Sequence, residues 1–301
     1  MPMPRSNFAA QLEPGLNTLF GLEYKQYPEQ WRRCFQVNSS VKAFEEDVLL
    51  EGFAAAPIKA EGAAITYETA SEVWTARYNH DVIALAFSIT EEAVDDGLYG
   101  SISNRYAKAL ARSMQHPKEI TGANIFNRAF NSSYTGGDGK ELCATDHPSR
   151  NGDWSNELAT AADLNETSLE QMLINISDMV DDRGIPIAAS GKGLIIPTAL
   201  VFIAERLLKS IQRVDSAEND INAIRSIGLL PDGYDVVQRL TDTDAWFVKT
   251  DVPDGLKMFQ RKALKKGTEG DFETGNMRYK TTERYSFGWT NPRGLFGSPG
   301  A

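Results

Sequence analysis

The chain is poor in the residues that disulfide frameworks and metal sites need. Its 301 residues contain two cysteines, Cys34 and Cys143, and three histidines. So few cysteines exclude a multi-disulfide scaffold and are typical of a protein that folds in a reducing compartment. The longest apolar run, residues 82–87, is too short to cross a bilayer, and residues 1–8 lack the apolar core of a signal peptide. We therefore expect a protein that folds in the cytoplasm and makes no membrane contact.

A complete catalytic or ligand-binding motif is also missing from the sequence. Residues 136–140 read Gly-Gly-Asp-Gly-Lys, but Tyr134 stands where a phosphate-binding loop needs its first glycine and Glu141 where it needs Ser or Thr. Cys143 and His147 have the spacing of half a zinc site, but no second Cys/His pair completes it. No nucleophile-elbow pattern is present. We expect no catalytic residue, no cofactor and no metal.

Charge is unevenly distributed along the chain, whose net charge is −10. Residues 153–256 contain 8 Lys/Arg and 18 Asp/Glu, whereas residues 257–301 contain 9 and 4. The acidic segment predicts a solvated surface. A pI of about 5.0 argues against a protein whose main task is sequence-independent nucleic-acid binding.

The first 90 residues contain two segments that cannot bury themselves. Residues 1–47, interrupted by four prolines, predict an arm with short helices near residues 7–11 and 28–35. Residues 48–89 predict two long strands around an alanine-rich tip at residues 54–62. An isolated hairpin is only marginally stable in water. Both segments therefore need a surface supplied by the rest of the subunit or by a neighbour.

The returning strand of this hairpin carries three candidate interface residues. Trp74 and Tyr78 share one parity and so one face, and Arg77 lies on the other. We expect Trp74 and Tyr78 to pack on an adjacent subunit.

A long helix is predicted after the hairpin, over about residues 91–115. Thr90 is a good N-cap, acidic residues follow it, and Pro117 is expected to end the helix. An apolar residue recurs every four positions, which places these side chains in one stripe along the helix. They are Val94, Leu98, Ile102, Tyr106 and Leu110. Farther along, the pattern predicts helices over residues 168–182 and 198–208, and strands over 194–196 and 245–248.

Residues 277–289 alternate with a period of two, which predicts a strand with two different faces. One face is apolar and aromatic and the other is cationic. We expect the cationic face to meet acidic surface on a neighbouring subunit or on the same chain. The aromatic-side residues are Met277, Tyr279, Tyr285, Phe287 and Trp289, and the cationic interface candidates are Arg278, Lys280 and Arg284.

Taken in order, these segments resemble one known family. The resemblance is carried by residues 90–96 at the helix start, residues 129–130 and 142–148 around the Gly-rich loop, residues 184–187, 194–197 and 204–208, and residues 284–289 with 291–294. This pattern is similar to the major capsid protein of tailed bacteriophages, with the Hong Kong 97-type fold, close to Mu-like major head subunits.

The resemblance implies an α+β fold in four parts. They are an N-terminal arm at residues 1–47, an extended loop at 48–89, a peripheral domain at 90–152 plus 257–301 with its spine helix and antiparallel sheet, and an axial α/β domain at 153–256.

The resemblance also implies partners and a place of assembly. The chain would assemble with itself as hexamers and pentamers in the bacterial cytoplasm, forming an icosahedral virion capsid around double-stranded DNA that it contacts non-specifically. A separate scaffold protein, a portal and a decoration protein would be its other partners. Two alternatives stay open at this point: an encapsulin-like compartment with protein cargo, and a hydrolase or phosphate-binding enzyme built around residues 138–147.

Overall fold

The computed structural model describes residues 20–24, 28–62, 64–90, 92, 99–212, 220–271 and 274–301. The helix expected near residues 7–11 and most of the start of the long helix lie outside these residues. Residues 20–24 are helical. Five further helices are named here in chain order: α1 Trp31–Cys34, α2 Tyr99–Asn127, α3 Glu166–Ser177, α4 Val201–Lys209 and α5 Ala223–Ile227.

The spine helix α2 is longer than its sequence predicts, because it continues through Pro117 to Asn127. The prediction that Pro117 ends the helix is wrong. A proline removes one helical hydrogen bond, but packing on both sides of it can hold the helix together. Before Pro117, Leu110 and Met114 are buried against the sheet, and after it Phe126 is buried in the central core.

The described part of the chain contains ten strands. They are β1 Gln36–Ser39, β2 Phe44–Leu50, β3 Glu72–Asn79, β4 Asp81–Ile89, β5 Gly191–Ile196, β6 Tyr234–Val236, β7 Trp246–Thr250, β8 Leu256–Gly270, β9 Met277–Trp289 and β10 Leu295–Ser298. One sheet has the order β1-β8-β9-β4, a second has the order β10-β7-β5-β6, and β2 and β3 form a separate pair.

The hairpin differs from its prediction at both ends. It starts at Phe44, where β2 pairs antiparallel with β3, and the connection between the two strands covers residues 51–71. Strand β4 leaves the hairpin and pairs antiparallel with β9, from Asp81 opposite Tyr285 to Ile89 opposite Met277. The apolar run at residues 82–87 is therefore part of the large sheet, because its backbone partners lie at the other end of the chain.

The alternation in β9 is confirmed for the face that meets the helix. Tyr279, Thr281 and Tyr285 are buried, whereas Arg278 and Lys280 are exposed. The buried side packs on α2 through Leu110 and Met114.

The second sheet forms its own core with α3 and α4, as the apolar periods of residues 168–182 and 198–208 predict. This cluster includes Met172, Leu194 and Trp246. Asn165 caps α3, since its side chain accepts the Ser168 N–H at 2.9 Å while the Ser168 hydroxyl accepts the Asn165 N–H at 3.0 Å. The mixture of helices with largely antiparallel sheets gives an α+β fold. Among the described residues, each helix is too short or too polar to pass through a bilayer.

Candidate assembly surfaces

The base of the hairpin is packed on its own subunit. Trp74 is 9% exposed and donates its indole N–H to the Thr290 carbonyl at 2.9 Å. Tyr78 is 3% exposed, its hydroxyl lies 2.7 Å from the Thr290 hydroxyl, and its ring meets Phe259 edge-on. The expectation that Trp74 and Tyr78 pack on an adjacent subunit is therefore corrected. Parity placed both on one face, but that face is covered by β8 and the end of β9.

The remaining predicted residue of the hairpin, Arg77, lies on the exposed side. Its guanidinium sits 3.9 Å from the centre of the Phe44 ring and 4.0 Å from Glu46. More than half of the Arg77 side chain is exposed. An exposed pair at this distance contributes little to stability, so Arg77 is available for another contact.

A carboxylate holds the outer end of the hairpin in place. Glu51 is buried, accepts the Ser71 hydroxyl hydrogen bond at 2.6 Å, and forms an ion pair with the Arg183 Nε at 2.7 Å. Arg150 lies 3.4 Å from the same carboxylate. The hydrogen bond from Ser71 and the two guanidinium groups hold the pKa of Glu51 below its ordinary value. This cluster ties the two ends of the connection, Glu51 and Ser71, to each other and to the body of the subunit.

The residues between these two ends expose large apolar side chains that the subunit itself leaves uncovered. Phe53 is 62% exposed, Ile58 101% and Tyr67 91%. Apolar side chains concentrated in one exposed loop mark an interaction surface. Local sequence pattern does not reveal them, because isolated apolar residues among alanines show no period.

The cationic face of β9 is only partly free. Arg278 is paired with Asp271, and Arg284 donates to the carbonyls of His80 and Ala43 at 3.4 and 3.3 Å. Lys280 is exposed and lies beside Gly267 of the neighbouring strand. Acidic surface on the same chain thus meets one of the three predicted cations, Arg278.

The Asp138–His147 region does not have the form of an open catalytic site. His147 is fully buried between Asp138 and Asn156, which removes it from any substrate. Burial also raises the pKa of the Cys143 thiol, which works against metal ligation by a thiolate. The described residues contain no cluster of His, Cys, Asp or Glu side chains arranged to hold a metal ion.

Three solved shells have a similar fold. The virus-like particle from Pyrococcus furiosus gives a TM-score of 0.53 at 11% identity, covering 94% of this chain and 97% of that one. The mature capsid of bacteriophage PhiM1 gives 0.53 at 15% identity, with 90% and 87% covered. The capsid of the native GTA particle gives 0.53 at 12% identity, with 90% of each chain covered. No curated protein matches the chain.

These likenesses show the fold, which is the Hong Kong 97-type fold of capsid subunits. The family model described as phage capsid protein matches residues 44–297. The chain belongs to this phage capsid protein family, and it is a structural major capsid protein of the virion rather than an enzyme. The family match favours a phage capsid over both the encapsulin-like compartment and the hydrolase alternative.

Proposed function

We propose that the chain builds a closed icosahedral shell from hexamers and pentamers, in which residues 51–71 of each subunit pack on the next. The observation that carries this proposal is the exposed loop with Phe53, Ile58 and Tyr67 uncovered, on a base held by Glu51. Its own subunit does not cover this loop, because residues 55–62 and 64–71 are all exposed. Repeated head-to-tail contacts of this kind close into rings, and many modest contacts give a durable shell.

The proposal divides the chain into four parts with separate roles. We assign an arm to residues 1–47, an extended loop to 48–89, a peripheral domain to 90–152 and 257–301, and an axial domain to 153–256. The two four-stranded sheets support the separation of residues 153–256 from residues 257–289, since β5 to β7 belong to one sheet and β8 and β9 to the other. Strand β10, at the end of the chain, pairs with β7 and so joins the sheet of the axial domain.

The proposal also includes partners and a site of assembly. A separate scaffold protein and a portal would be its partners during assembly in the cytoplasm of the bacterial host, and the outer surface would be open to a decoration protein. The shell encloses double-stranded DNA, which it contacts without sequence preference. The surplus of Lys and Arg in residues 257–301 supports contacts with phosphate or with acidic surface on a neighbour.

Electron microscopy of the purified chain, alone and co-expressed with its neighbouring genes, tests the shell directly. Round particles, or free hexamers and pentamers, are the expected result. A monomer or small dimer under every condition overturns the proposal.

Salt and charge substitutions test the cationic face separately. The screening length falls from about 10 Å at 0.1 M salt to about 3 Å at 1 M, so we expect high salt to weaken assembly. Arg278→Gln combined with Lys280→Gln should remove part of that salt dependence. The matched control combines Lys192→Gln with Lys209→Gln, which removes the same charge from the axial region. Equal salt dependence in all three proteins contradicts a role for the β9 cations.

A further inference from the structure

A buried polar network connects the Gly-rich loop, residues 134–139, to the end of the chain. The side chains of His147 and Asp138 are 0% and 1% exposed, and His147 Nδ1 lies 2.7 Å from Asp138 Oδ2. On the other side of the ring, His147 Nε2 lies 3.0 Å from Asn156 Oδ1. The ring also stacks on Trp154, with 4.7 Å between centroids and 23° between planes. Both ring nitrogens therefore face oxygen atoms, away from solvent.

The orientation of the Asn156 amide is fixed by its other hydrogen bonds. Its Nδ2 donates to the carbonyls of Leu142, Leu295 and Pro292 at 2.7, 3.0 and 3.3 Å. Its Oδ1 accepts the Ala144 N–H at 2.9 Å. A flipped amide would set its oxygen against three carbonyl oxygens. Since Oδ1 faces His147 Nε2 and can only accept, His147 Nε2 carries a proton and donates it.

The contact with Asp138 then requires a second proton. A neutral imidazole has a single N–H, and that hydrogen is already on Nε2. An ionised carboxylate has none to give, so without a further proton two acceptors would face each other at 2.7 Å. We propose that His147 is a buried imidazolium paired with the Asp138 carboxylate, and that its second proton locks the Gly-rich loop to the body of the subunit.

The surroundings show what this lock holds. Gly137 is packed so closely on the hairpin base that a Cβ there would lie 2.8 Å from the Thr75 carbonyl and from the Trp74 ring. Asn156 reaches the backbone at the start of the last strand, at Pro292 just before it and at Leu295, its first residue. The pair thus joins the hairpin base, the Gly-rich loop and the terminal strand β10, three segments far apart in sequence.

The other charged groups around His147 come from several segments. Asp146, next to it in the chain, is paired with Lys140. Glu157 acts on His147 from beyond Asn156, and its pKa is raised by burial and by Glu141. Arg293 places its guanidinium 4.4 Å from the Trp154 ring centre. The acidic groups favour a charged His147 ring, whereas Lys140 and Arg293 disfavour it. The carboxylate of Asp138, which is in direct contact with the ring, therefore decides whether the ring carries its second proton.

Nitrogen-15 NMR of histidine-labelled wild-type protein tests the proton count directly. The chain has only three histidines, at positions 80, 116 and 147. His116→Gln removes the signal of the exposed ring and helps assignment. We expect His147 to show two ring N–H groups at neutral pH, both slow to exchange. A single N–H on His147 at neutral pH overturns the proposal.

The variant Asp138→Asn gives an independent test, because an amide can donate to a neutral ring. In wild-type protein the folded state holds one proton more than the unfolded state above neutral pH, so its stability falls as pH rises. In Asp138→Asn the neutral ring is preferred, so stability should instead fall on acidification. Melting temperatures at about pH 6 and about pH 9 should show the difference between the two proteins narrowing or reversing at the higher pH.

Asp146→Asn is the matched control, since it removes the same charge from the neighbouring exposed residue. Its pH profile should run parallel to wild type. Parallel profiles for Asp138→Asn and wild type would refute the second proton, whatever the result for shell formation.

Discussion

The buried ion pair between the spine helix and the large sheet gives a stability prediction that can be worked out in detail. Lys118 Nζ lies 2.5 Å from Glu283 Oε1, and the two side chains are 4% and 1% exposed. Gln260 also donates to Glu283 Oε1, at 3.2 Å. The Lys118 ammonium lies 4.9 Å from the Trp31 ring centre and 5.3 Å from that of Tyr285. Both charges are thus removed from water and depend on each other.

The expected magnitudes follow from this mutual dependence. Lys118→Met leaves a buried carboxylate with a single hydrogen bond from Gln260, and Glu283→Met leaves a buried ammonium among aromatic rings. Breaking a buried pair from one side costs about 3–5 kcal/mol, whereas replacing both partners by apolar residues is close to neutral. The double variant also leaves Gln260 without this acceptor, which costs about 1 kcal/mol. We therefore expect the double variant to lie within about 2 kcal/mol of wild type.

Urea unfolding of the unassembled subunit measures these differences by linear extrapolation. Lys265→Met, on an exposed position of β8, is the control and should change stability by less than about 0.5 kcal/mol. The reasoning fails if either single variant costs less than about 1 kcal/mol, or if the double variant costs the sum of the two single ones.

The remaining predictions concern the hairpin. Trp74→Ala should destabilise the isolated subunit by about 3–5 kcal/mol, because Trp74 is buried on its own chain. Tyr67→Ala, at a 91% exposed position, should leave subunit stability unchanged and weaken assembly instead; equal stability of the two variants in urea would contradict this. Glu51→Gln should speed tryptic cleavage at Lys59, the one Lys or Arg between Lys42 and Arg77, relative to the exposed control Glu61→Gln. In wild type, hydrogen exchange of this loop should speed up only as pH falls below 4.5. The reason is that the pKa of Glu51 is held low in the folded state, so the stabilisation from its carboxylate is lost only when Glu51 is protonated. Fast exchange of the loop at neutral pH would contradict the role of Glu51.

Local periodicity was enough to predict two of the four strands of the second sheet and the two helices that pack on it. The helix predicted over residues 168–182 corresponds to α3, which ends earlier, at Ser177; the strand over residues 194–196 lies within β5, and the strand over 245–248 overlaps β7. These elements alternate or repeat with the period of their own backbone, and each buries one side.

The spine helix shows where a local rule is insufficient. Pro117 ends an isolated helix, but here Met114 before it and Phe126 after it are both buried in cores. Packing energy on both sides outweighs one lost hydrogen bond, and no pattern within the helix reveals that energy.

The sequence by itself determined which side of β3 and of β9 is apolar: Tyr279 and Tyr285 point inward, and Trp74 and Tyr78 share a face. Only the tertiary structure decided what covers that face, which for Trp74 is the Thr290 backbone, 216 residues away. The same holds for His147, whose partners Asp138 and Asn156 stand in irregular loops with no period. A side chain's direction is set by the dihedral angles of its own backbone, whereas its partner is chosen by how the whole chain packs.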